Sequence, residues 1–248
     1  MRGGGIRAMV RPGWPGRRRL AGDLRASTRN DTAMLTRRRF IAHTAIAPLA
    51  ATALGGSASF AFAQAGVDVA ELMQPGPLPE KWLGDEKAPV TVVEYASMTC
   101  GHCANFHKTV LPYIKEKYID TGKVRMIMRE FPLDPLAAAA FMLARCAPED
   151  KYFDMVSLFF EQQPAWTRTD KPVDALLALS KQVGFTPDSF KQCLTNQTLL
   201  DGVNAVKDRG ADKFKVDATP TFFVNGMRAK NFQSTDGVDK TLAPLLKS

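Results

Sequence analysis

Apolar and polar positions along the chain change their period three times. Residues 89–96 are apolar except for Thr91 and Glu94, the pattern of a central strand buried on both faces. After a short break, Cys103, Phe106, Val110 and Ile114 recur at helical spacing and predict a core-facing stripe, with a kink at Pro112. Asp120-Thr-Gly122 reads as a turn, and residues 123–131 as a second strand. From Asp134 to Lys215 the period stays helical. Residues 136–146, 152–160, 173–183, 187–194 and 199–214 make about five helices, punctuated by Pro148, Pro164, Pro172 and Gly184. Strand character returns at 219–224. Asn225-Gly226 is a two-residue hairpin signal, and 227–232 supplies the partner strand. A last helix from about Thr235 places Val238, Leu242, Leu245 and Leu246 on one face. The pattern predicts an α/β domain, residues 89–133 and 216–248, interrupted by an all-helical subdomain, residues 134–215.

Composition changes this picture only at the N-terminus. The net charge of +8 suggests a basic protein, yet residues 1–63 hold 11 of the 33 basic residues and two of the 25 acidic ones, Asp23 and Asp31. The remainder, 22 basic against 23 acidic, is close to neutral, and no nucleic-acid affinity follows from the balance. Residues 1–33 are rich in Gly, Arg and Pro without apolar periodicity, and either Met1 or Met34 can serve as the start. Thr36-Arg37-Arg38-Arg39-Phe40-Ile41 resembles a twin-arginine export motif. An Ala-rich apolar run follows and ends at Ala61-Phe62-Ala63, a small-x-small cleavage site before Gln64. A membrane anchor and an organelle transit peptide are the alternatives. Pro48 and Gly55-Gly56-Ser57 weaken the first, and the cleavage site weakens the second. Residues 1–63 thus read as a leader with a removable signal that sends about 185 residues to the periplasm, an oxidising compartment. Residues 64–88 are an N-terminal tether, broken by Pro75-Gly76-Pro77 and Pro79, with a short first strand at 78–83.

The candidate chemistry lies at Cys100-Gly101-His102-Cys103, between the first strand pattern and the helix. A helix N-terminus offers unpaired N–H groups and partial positive charge, which favour the thiolate of Cys100. Protonated His102 adds charge beside it, and Cys103, one turn on, can close a disulfide or resolve a mixed one. A Cys-x-x-Cys can also be half of a zinc site, but no second ligand pair stands at zinc-finger spacing. Glu94 is the exception in an apolar strand and is costly there without a role or partner. It reads either as a proton acceptor beneath Cys103 or as a residue at a solvated strand end. His107 reads as a helix-surface residue. The aromatic stripe at 152–160 reads as core.

Cys146 and Cys193 remain. A bridge between them staples the helical block internally, worth roughly 4 kcal/mol by chain entropy for a loop of about 48 residues. The alternative is that both are small buried hydrophobes that never meet.

Ala218-Thr219-Pro220-Thr221 opens the hairpin. A cis bond before Pro220 turns the Thr219 backbone outward, toward an extended substrate. Together with the Val-Glu-Tyr strand, Cys-Gly-His-Cys and Arg129-Glu-Phe-Pro-Leu133, this segment resembles DsbA and its relatives among exported bacterial thiol–disulfide oxidoreductases. The resemblance covers about residues 77–246 and implies a thioredoxin-like fold with a helical insertion. It implies that Cys100 attacks, that Cys103 resolves, and that a cis-proline loop at Thr219-Pro220 faces them and binds substrate. It also implies an oxidising pair, with reduced exported proteins as clients, a membrane quinone-linked partner for reoxidation, no cofactor and a monomer. Two departures stand out. Gly-His is the dipeptide of protein disulfide isomerase, and Thr before the proline also occurs in isomerases. Against isomerase, the roughly 25 residues after Gln64 cannot form the N-terminal dimerisation domain of DsbC-type enzymes. The expected function is dithiol oxidase. The alternatives are an isomerase or reductase, including a thiol route to apo-cytochromes or copper proteins, and a metal binder using Cys100, Cys103 and His102 or His107.

Overall fold

The computed structural model describes residues 66–246. The twin-arginine motif, the two candidate starts and the Ala63-Gln64 cleavage site lie outside the described residues. A short helix α1 (Val69–Met73) and strand β1 (Lys81–Leu83) lead in. Then follow β2 (Val90–Ala96), α2 (Gly101–Thr109), α3 (Leu111–Ile114), a π-turn (Lys115–Ile119) and β3 (Val124–Glu130). The helical block comprises α4 (Pro135–Cys146), α5 (Tyr152–Glu161), α6 (Gln163–Thr167), α7 (Pro172–Lys181), α8 (Pro187–Leu194) and α9 (Gln197–Phe214). The chain returns to the sheet with β4 (Thr221–Val224) and β5 (Met227–Ala229) and ends on α10 (Thr235–Leu242).

The sheet order is β1-β3-β2-β4-β5. β2 is central, parallel to β3 and antiparallel to β4, in keeping with its mostly apolar run. Parallel pairing of β2 with β3 needs a crossover, and α2, α3 and the π-turn provide it. Side chains alternate across β2. Val90 and Val92 pack with Phe106, Ile114, Phe222 and Val238 on the face covered by α2 and α10. Val93 and Tyr95 pack with Phe214 and Phe223 on the opposite face. By the same alternation Glu94 belongs to the α2 face.

Helix α2 serves two cores. Its Phe106 joins the sheet, whereas Cys103 and Ala104 join the core of the helical block with Phe141, Phe159, Phe160 and Trp166. The predicted stripe of Cys103, Phe106, Val110 and Ile114 is buried throughout. The chain breaks at Val110 and not at Pro112, because Pro112 occupies the first turn of α3, where a missing N–H costs little. Helices α1 and α6 have no counterpart in the periodicity, being only five residues each. Partner strand β5 is shorter than 227–232. Asn231 takes a left-handed φ of 60° and ends the extended run, and Phe232 folds into the core.

The hairpin turn has φ of 45° at Asn225 and 81° at Gly226, the two positive values a type I′ turn demands. A Cβ at Gly226 would also run into the Val69 side chain, which would have to move. Within the block, the end of α4 is joined to α8 by a Cys146–Cys193 disulfide, with Cα atoms 6.1 Å apart. Arg129 and Glu130 tie the block and the lead-in to the sheet. Glu130 accepts from Arg145 Nε at 2.6 Å and from the Tyr152 hydroxyl at 3.3 Å. Arg129 donates to Tyr95, Glu80 and the Leu72 carbonyl. Such pairs are costly to break singly, because one buried charge is then left alone. Among the described residues no helix is long and apolar enough to cross a membrane.

Candidate active site

β2 ends at Ala96, and Ser97-Met98-Thr99 leads to Cys100, which is the N-cap of α2. No side chain caps this helix, so its first N–H groups are left to face the Cys100 sulfur. Three contacts fix the loop. Thr99 donates to Asp134 at 2.5 Å, and the Ser97 hydroxyl accepts from Leu133 N at 3.3 Å. Gln163, reaching in from α6, donates to the carbonyls of Met98 (2.7 Å) and Cys100 (3.0 Å). Nothing in the sequence pattern singled out Gln163, because its partners are more than 60 residues away and are backbone atoms.

Both cysteines of the motif are free thiols, Cys100 half-buried and Cys103 fully buried. In its protonated form Cys100 Sγ donates to the Thr219 carbonyl at 3.3 Å, and the Thr219-Pro220 bond is cis. The loop before β4 therefore lies against the reactive sulfur. The Thr219 hydroxyl is buried and has no hydrogen-bond partner among the described residues.

The two thiols titrate in opposite directions. The Cys103 thiol donates to the Cys100 sulfur and, against the cost of burial, brings the Cys100 pKa down to about 5. The backbone N–H groups of Cys103 and His102 add to the effect. Cys103 is pushed far up, first by burial, then by its hydrogen bond to Cys100 and by the negative charge of Glu94. Cys100 is thus a thiolate at neutral pH and Cys103 a thiol. The His102 imidazole is exposed, and the group of this residue that stabilises the sulfur is its backbone N–H.

Glu94 is fully buried on the α2 face of β2. Its carboxylate meets His107 Nε2 at 3.0 and 3.2 Å. The expectation of a surface His107 is therefore corrected. Its side chain is 4 % exposed, and its ring packs on Phe160 with centroids 4.2 Å apart. The signal was present in the sequence: His107 lies four residues after Cys103 and so shares its helix face. Among the described residues no group of three or more His, Cys, Asp or Glu is arranged to hold a metal ion.

A mixed sheet crossed by α2, with an ionised cysteine at that helix's N-terminus and a cis-proline loop opposite, belongs to the thioredoxin class. A thioredoxin family model matches residues 78–243, and the chain belongs to that family. Within it, the chain is a member of the DsbA-like group. It is 32 % identical to alpha-DsbA1 of Wolbachia pipientis, whose crystal structure superposes with a TM-score of 0.67 over 73 % of this chain and 96 % of that one. It is 35 % identical over 161 residues to a protein-disulfide oxidoreductase of Rickettsia typhi, covering 64 % of this chain and 59 % of that protein. Disulfide bond formation protein D of Bacillus subtilis is 30 % identical over 173 residues, 66 % of this chain and 76 % of that protein. The chain thus spans well under two thirds of the length of the rickettsial relative.

Proposed function

We propose that the protein is an exported dithiol oxidase that introduces disulfides into periplasmic client proteins. The opposite titration of Cys100 and Cys103 carries this reading. A thiolate held at Cys100 stabilises the reduced protein, and whatever stabilises the reduced form makes the disulfide a stronger oxidant. In the forward step a client thiolate attacks Cys100 of the Cys100–Cys103 disulfide. The Cys100–client bond forms, and Cys103 leaves with the electron pair and is protonated. A second client thiolate then attacks the client sulfur of the mixed disulfide, and Cys100 leaves as the stabilised thiolate. The client has lost two electrons and the protein has gained them. Its return passes through attack by Cys100 on a disulfide of a membrane quinone-linked partner, resolved by Cys103.

Glu94 serves the proton exchange at Cys103, and Thr219-Pro220 pairs with an extended client segment beside Cys100. His102 supports the Cys100 sulfur through its backbone N–H. We place the protein in the periplasm as a monomer, delivered by the signal in residues 1–63, with residues 64–88 as tether. The thioredoxin-like part (89–133, 216–248) carries the chemistry and the inserted part (134–215) supports it. Equilibrating the protein with reduced and oxidised glutathione tests the assignment. A potential well above thioredoxin's ~−270 mV is expected, and one as low as that would sink the oxidase reading in favour of a reductase.

A further inference from the structure

We propose that His107 is a positioning residue for the chemistry of Cys103: it holds Glu94 and passes the Cys103 proton between that carboxylate and the outer side of α2. The inference rests on Cys103 being the resolving sulfur. One proton must enter and leave at Cys103 in each cycle. When a client thiolate opens the Cys100–Cys103 bond, Cys103 leaves as a thiolate and takes up a proton. On reoxidation it gives that proton up, attacks Cys100 of the mixed disulfide, and the partner sulfur departs with the bonding pair.

Cys103 is 0 % exposed, and so is Glu94, the carboxylate whose charge acts on it. Neither can trade a proton directly with bulk water. His107 is the hydrogen-bond partner of the Glu94 carboxylate through Nε2 at 3.0 Å. Its other nitrogen, Nδ1, is buried and has no partner among the described residues. A buried ring nitrogen left unpaired is costly in a purely structural histidine. His107 also lines a cavity of about 290 Å³, whose largely apolar wall, with Leu83, Leu111 and Phe160, carries Lys108, Asp154 and Glu161 as well. An imidazole with one nitrogen on a buried carboxylate, the other unpaired, and a cavity beside it can take a proton at one side and release it at the other.

The surrounding charges leave this task to His107. On β3, Glu130 is already matched by Arg145 of α4 and by the Tyr152 hydroxyl of α5. From α2 itself come Cys103 and the exposed Lys108, from the π-turn Lys115, and from α5 Asp154 and Glu161 on the cavity wall.

The test mixes the reduced full chain rapidly with oxidised glutathione and quenches it for mass analysis. This separates formation of the glutathione adduct on Cys100 from its closure by Cys103. His107→Gln keeps an amide donor near Glu94 but cannot titrate. It is expected to slow closure by about ten-fold or more and to flatten the dependence of closure on pH between ~5 and ~8, while the Cys100 thiolate titration stays in place. Closure at the wild-type rate with the wild-type profile in a folded His107→Gln protein overturns the proposal. Should the variant not fold, closure in the unaltered chain is followed against pH in light and heavy water. A solvent isotope effect with an inflection separate from that of Cys100 supports the relay, and absence of both overturns it. The glutathione equilibrium that tests the oxidase reading is independent of closure rate. A wild-type adduct that never closes removes Cys103 as resolver and this inference with it.

Discussion

Two residues separate Cys100 from Cys103, and the difference between them is one of surroundings. The first sulfur faces helix N–H groups, a thiol donor and the Thr219 loop, and the second faces a carboxylate inside a core. Cys103→Ser is therefore expected to accumulate mixed disulfides on Cys100, whereas Cys100→Ser traps almost none. Non-reducing gels of protein incubated with reduced clients read the outcome, and equal trapping by both would contradict the assignment. A second expectation concerns pH. Cys100 has a folded pKa near 5 against an ordinary value of 9.0. A depressed pKa contributes stability that is full above the unfolded value and fades as pH falls toward the folded one. The reduced protein should thus gain melting temperature relative to the oxidised protein as pH rises from about 5 to about 8. Beyond that, the buried Cys103 thiol works in the opposite direction. Thermal melts of both forms across this range check the sign. His102→Ala should move the Cys100 pKa by less than about one unit, because the group of this residue that stabilises the sulfur is its backbone N–H and an exposed side chain is screened, and the ultraviolet absorbance of the thiolate reads it.

At the scale of elements, β2, α2 and the 225–226 turn were legible because each declares itself locally: a buried run, a helical stripe, a two-residue turn. What the sequence did not show were features set by tertiary contact. Helices α1 and α6 are too short to hold a period. His107 looked like surface because its partner, Glu94, sits on a different element, and Gln163 binds only backbone carbonyls. That last contact gives a prediction. Gln163→Leu leaves two carbonyls next to the motif without their donor, at a cost of about 1–3 kcal/mol. Urea unfolding should report a loss in that range, and a variant as stable as the parent would show that the loop does not need α6. The Cys146–Cys193 bridge joins α4 to α8, both within the block. Replacing both with Ser should lower stability by up to ~4 kcal/mol while leaving the Cys100 titration unchanged, because the bridge lies in the insertion.

For the whole molecule, the interrupted α/β order was visible in the changing period. The strand order was not, since pairing partners are chosen by faces that no single segment reveals. The site was half legible: the Cys-x-x-Cys, the proline loop and Glu94 could be found along the chain, but the pairing of Glu94 with His107 could not. One consequence follows from the burial of Cys103 together with the bridge in the block. Of the four cysteine sulfurs in the reduced protein, two are tied to each other and a third is sealed in the core. An alkylating reagent such as iodoacetamide, applied near pH 6, should add once per molecule and only at Cys100. Intact mass would show a single increment, which makes that sulfur a ready attachment point for a spectroscopic label without any engineered substitution.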